Sequence, residues 1–193
     1  KHGTFYDHLH DVWEILCAWD QPMSWCRLGL FHSAYSNSFV SMNLFDPKKD
    51  RQKLSDLIGE EAEGLVYKFC VIDRQLLENK VLTSGKIEKE GYKMKHIRTG
   101  EEVEVSAREA VAFIVETIAD YQDQSFGWQA DLELGKKSSL WPGLCKPTTR
   151  MSKLSRFASI VRASGELETV PCIFDSCTGS LSESDERAAI DEY

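Results

Sequence analysis

The stretch from Ser106 to Gln124, "SAREAVAFIVETIADYQDQ", constrains the fold of this chain more than any other. Ser106 and Glu109 have the spacing of a capping box, in which each side chain bonds the other residue's backbone N–H. Behind that start, Ala110, Phe113, Ile114, Thr117, Ile118 and Tyr121 recur at helical spacing, with Asp120 at the edge of the same face. A helix with so complete an apolar face must bury it against other helices. The same period recurs elsewhere. In residues 4–19 Thr4 and Asp7 form a capping box variant, and Phe5, Leu9, Val12, Leu16 and Trp19 make a stripe. From Met23 onward Trp25, Leu28, Gly29 and His32 share one face. Gly29 costs roughly 1 kcal/mol against Ala in a helix interior, which the close approach of a second helix would justify. Shorter helical patterns cover 50–59 and 60–72, the latter facing inward with Ala62, Leu65, Val66 and Phe69, and "DRQLLENKVL" adds a turn or two. A basic amphipathic helix follows at 150–164, with Met151, Leu154, Phe157, Ala158 and Val161 inward. The fold class is mainly α: a helical bundle with a small inserted β-hairpin.

The hairpin insertion lies at about 83–106. Strands at Tyr92–Ile97 and Val103–Val105 flank Thr99-Gly100, a turn signal, and their many charges predict an exposed hairpin. Residues 36–49 and 125–148 are polar and turn-rich and read as irregular, with Trp128 and Trp141 the tryptophans best placed for an interface. The organisation is one helical domain over 1–124, with 125–193 an irregular segment and C-terminal helices packed on or extending it. The chain opens almost inside a helix and stops in another, so it reads as part of a longer protein.

The formal charge of −8 excludes a general phosphate-backbone binder, which needs a basic surface. No apolar run is long enough for a transmembrane segment. Six cysteines without a CxxC argue against structural zinc and predict an intracellular reducing compartment, cytoplasm, stroma and matrix being equally compatible.

His8 and His32 both lie on apolar helix faces, where a lone histidine is first a hydrogen-bonded core residue. Glu60, Glu61 and Glu63 read as a solvated first turn placed well for the helix dipole. Arg74, next to Asp73, is either a phosphate or substrate contact or half of a helix-terminal salt bridge. The basic helix at 150–162 reads as packing on the core, with an acidic partner or lipid headgroups as the alternative.

The order of these elements carries more than any one of them. His8 stands before "xxDV", a second helix ends in "LGLFHS", "LIGEEAEGLVYKF" follows, and a later helix ends in "TIADYQDQ". The pattern, over about Thr4 to Gln124, resembles the HD-domain superfamily. It is similar to the stringent-response hydrolases of guanosine alarmones, and to a less-characterised branch with FHS.Y in place of HD. The resemblance implies metal ligation by His8, His32 and Asp120. Ser33 takes the place of the aspartate paired with the second histidine. Ser36 and Asn37 take the places of two acidic residues that assist the nucleophilic water. Two histidines and one carboxylate suit one divalent transition metal (Mn, Fe or Zn), while Ser33 and Asn37, which do not ionise, join the cationic Arg74 as candidate binding residues. The implied function is a degenerate HD-like domain acting as a binding, regulatory or structural subunit, with protein partners or a larger assembly. A metal-dependent phosphohydrolase or oxygenase of the same superfamily is the alternative.

Overall fold

The computed structural model describes residues 4–38, 40–41, 44–133 and 147–167, without the side chains of 125–133 and 147–152. Its elements are α1 (Phe5–Ala18), α2 (Met23–Phe31), α3 (Arg51–Ile58), α4 (Glu60–Val71), α5 (Arg74–Ser84), β1 (Tyr92–Lys95), β2 (Glu102–Val105), α6 (Ala107–Glu133) and α7 (Pro147–Ser164). The class is mainly α with one small antiparallel sheet.

The capping boxes start the two helices that matter most. Thr4 N–H donates to Asp7 Oδ2 at 2.6 Å and Asp7 N–H to Thr4 Oγ1 at 3.2 Å. Ser106 and Glu109 repeat the exchange at 2.8 and 3.2 Å. Such a cap is worth about 1 kcal/mol. Leu9, Val12 and Leu16 of α1 are buried and meet α2 and α6. A Cβ on Gly29 would lie 2.5 Å from Leu16 Cδ1 and 3.1 Å from Val12 Cγ1, so the glycine lets α2 seat against α1. α6 packs on α1, α2 and α7, and Ala110 to Val115 are buried on every side. α7 buries Leu154, Phe157, Ala158 and Val161. Its basic residues serve the bundle: Lys153 Nζ meets Glu78 Oε2 at 2.5 Å and Arg156 donates to Leu82 O at 2.7 Å. Met151, Trp128 and Trp141 lie outside the described side chains.

Tyr92 pairs with Val105 and Lys95 with Glu102 in the hairpin, closed by Gly100 at φ +76°. The expectation of an exposed hairpin is corrected. Tyr92, Met94 and Val105 enter the core, because charged and apolar residues alternate and only one face carries the charge. Gly91, at φ +75°, has no room for a Cβ beside Val105 O. Ile97 N–H donates to Val71 O at 2.7 Å and ties the hairpin to the end of α4.

Three other readings change. α5 is a full 11-residue helix, capped by Asp73 through Leu76 N–H, where one or two turns were expected. α6 runs on to Glu133, so the irregular stretch does not begin at Ser125. Glu63 is not solvated: it is 4% exposed, accepts from Arg51 Nε and NH2 at 2.7 Å each, and from Tyr35 OH at 2.8 Å. Glu60 and Glu61 stay exposed.

Candidate metal centre

Three helices each bring one residue to a common point. His8 comes from the first turns of α1, His32 from the C-cap of α2 and Asp120 from the middle of α6. One potential ligand atom of each lies within 4.8 Å of the other two, so the group could hold a metal ion. The imidazole rings meet edge to face, 5.3 Å between centroids. His32 and Asp120 are buried and His8 is partly so.

Both histidines have Nδ1 already committed. His32 Nδ1 lies 2.7 Å from Gly29 O, a carbonyl that can only accept, so Nδ1 carries the proton and Nε2 keeps its lone pair. His8 Nδ1 lies 2.6 Å from Asp123 Oδ2, and its Nε2 is 3.3 Å from Asp120 Oδ1. This is the arrangement by which outer carbonyls and carboxylates orient ligand imidazoles. Asp120 Oδ1 also accepts from Gln124 Nε2 at 2.7 Å.

The charges follow from burial and proximity. Burial holds the His32 ring down at about 4, despite the opposing Asp120 charge, so it is neutral at pH 7. Burial also works to lower His8, but its hydrogen bonds to Asp120 and Asp123 prevail and raise it to about 9. Raised so far, His8 is protonated at pH 7, with Nδ1–H toward Asp123 and Nε2–H toward Asp120. Burial pushes the Asp120 carboxyl up, but the His8 hydrogen bond and the nearby charges of Arg74 and His8 bring it below the ordinary value.

Ser33 and Asn37 are placed differently from a reactive pair. Ser33 is 1% exposed, and its Oγ accepts from Asn37 Nδ2 at 3.1 Å. Asn37 Oδ1 in turn accepts from Val40 N–H at 2.9 Å. Together they close the turn after α2. Ser36 holds a left-handed φ of 55° and its Oγ accepts from Arg98 at 3.2 Å. Arg74 is not a helix-end surface pair with Asp73. It is buried, 3.8 Å from both Glu116 Oε2 and Asp120 Oδ2, with its guanidinium 4.5 Å from the Phe69 ring centroid.

Sequence reasoning missed Glu116 and Asp123. Both lie on the Asp120 face of α6, four residues before it and three after. That spacing was available as a signal. Glu116 is fully buried, and burial followed by the Asp120 charge pushes its carboxyl well above the usual range. His10, Asp11 and Glu14 form a second acidic group on the outer face of α1, but Asp11 and Glu14 are exposed and all three come from one helix turn.

A family model described as Domain of unknown function (DUF6817) matches residues 1–74. The match takes in His8, His32, Ser33, Asn37 and Arg74 and stops short of Asp120. No curated protein and no solved structure gives a significant match.

Proposed function

We propose that the chain is an HD-like helical domain that binds one divalent transition metal through His8, His32 and Asp120 and acts as a binding, regulatory or structural subunit for protein partners. The observation that carries this reading is the meeting of two imidazoles and a carboxylate from three helices, with both Nδ1 atoms engaged elsewhere. The donor set fits the group. The His32 imidazole, the His8 imidazole once the metal displaces its proton, and a carboxylate oxygen suit Zn, Fe or Mn. A dication would take the place of the His8 proton beside Asp120, whose other oxygen lies 3.8 Å from Arg74.

A bound metal would polarise a ligand or lower the pKa of a coordinated water. Hydrolysis needs a base beside it, and Ser33, Ser36 and Asn37 offer none that ionises at neutral pH. Their hydrogen bonds to one another and to Arg98 serve the loop. General-base assistance is typically worth ~100- to 10,000-fold, so efficient turnover of guanosine tetraphosphate or nucleotides is not expected.

Elemental analysis of natively purified protein tests the reading. One equivalent of metal is expected in the parent and none in His32→Ala or Asp120→Asn. A metal-free parent that also fails to take up Zn, Fe or Mn on addition sinks the metal reading. Robust nucleotide hydrolysis abolished by His32→Ala would restore the enzyme alternative.

A further inference from the structure

Glu116 lies at the floor of the pocket, beside His32 and Arg74. It is 0% exposed, and neither carboxylate oxygen has a hydrogen-bonded partner among the described residues. Its polar neighbours are His32 Nδ1, 3.4 Å from Oε1, and Arg74 NH1, 3.8 Å from Oε2. Both distances exceed those of good hydrogen bonds. A carboxyl group held this way destabilises a fold, since its lost hydration is not replaced. An apolar or amide side chain would serve the core better, which points to a purpose other than folding.

The neighbouring acids indicate that purpose. α6 carries three of them along one face. Asp120 stands beside His8 Nε2, and Asp123 stands behind His8, at Nδ1. Glu116 stands in the corresponding place behind His32, also at Nδ1. The Gly29 carbonyl already fixes the His32 tautomer. Glu116 therefore adds a second acceptor on the far side of that ring, 3.4 Å from Nδ1. We propose that Glu116 is a positioning residue of the metal centre: from the Nδ1 side it orients His32 and strengthens it as a ligand. This rests on the metal reading above.

Cobalt(II) is the probe, because its visible absorption reports the ligand atoms and its titration reports affinity. The full chain, Glu116→Gln and His32→Ala are titrated with Co²⁺, and each metal-free form is unfolded thermally in a chelator. Glu116→Gln is expected to bind Co²⁺ about 10- to 100-fold more weakly, as loss of an outer-sphere partner does. Its band positions are expected to match the parent's, because the ligand atoms are the same. Metal-free Glu116→Gln is expected to unfold at a higher temperature than the metal-free parent, since an amide carries the smaller burial penalty. His32→Ala loses the bands. Unchanged Co²⁺ affinity, shifted bands, or a metal-free Glu116→Gln less stable than the parent each overturns the role given to Glu116 and leaves the metal reading standing. A parent with no cobalt bands overturns both.

Discussion

At the scale of single residues, the chemistry is set by what each side chain is denied. His32 is denied water and so stays neutral; Ser33 and Asn37 bond each other and close a turn. The thiols show the same control. Cys70 Sγ donates to His32 O at 3.2 Å and Cys26 Sγ to Gln21 O at 3.4 Å. Burial, joined for Cys26 by the neighbouring Cys17, pushes both up to about 12. A thiol with that value is protonated at pH 8, and the thiolate is the nucleophile. Native protein treated with iodoacetamide at pH 8 is therefore expected to leave Cys26 and Cys70 unmodified, while the denatured chain is alkylated at both. Peptide mass spectrometry reads the difference, and ready native labelling of either residue contradicts its placement. The meeting of His8, His32 and Asp120 was anticipated only through the ordered resemblance to the HD-domain pattern. Glu116 shares the Asp120 face four residues earlier, but nothing within "VETIAD" ties it to His32; the packing of α6 on α2 does.

At the scale of elements, periodicity and caps were legible wherever a helix has one face to the core. The starts of α1 and α6 came from two pairs of residues, Thr4 with Asp7 and Ser106 with Glu109. The end of α6 did not, because "SFGWQADLE" has no clean stripe and contains a glycine, and local propensity is a weak guide there. The hairpin was found and its burial missed, since three core residues lie hidden among lysines and glutamates. Gly29 gives a prediction at this scale. Gly29→Ala improves helix propensity by roughly 1 kcal/mol. It also drives a methyl into Leu16 and Val12, both fully buried with nowhere to swing. Overpacking of this kind typically costs ~1–3 kcal/mol. The variant is expected to be less stable in urea by about 1 kcal/mol, with its metal affinity reduced because α2 carries His32. A variant as stable as the parent would mean that α1 and α2 pack less tightly than this.

At the scale of the whole molecule, α6 joins the hairpin, α1, α2 and α7, and among the described residues no helix is long and apolar enough to cross a membrane. The proposed metal would link three of these helices by direct bonds. Binding to the folded form alone stabilises by about 2.7 kcal/mol when free metal is 100-fold above Kd. For a chain of this size that corresponds to about 5–10 °C in unfolding temperature. Saturating Zn²⁺ is expected to give a rise of that order in the parent and none in Asp120→Asn, followed by calorimetry with and without chelator. Equal shifts in both proteins would assign the effect to weak surface sites such as His10 and Glu14.

The three acids of α6 occupy fixed intervals along one rod. An α-helix advances about 1.5 Å and turns about 100° per residue. If α6 slipped by a single residue, Glu116, Asp120 and Asp123 would all leave their imidazoles together. The pocket would thus register where that rod lies, because an axial displacement of α6 would break the same three contacts together.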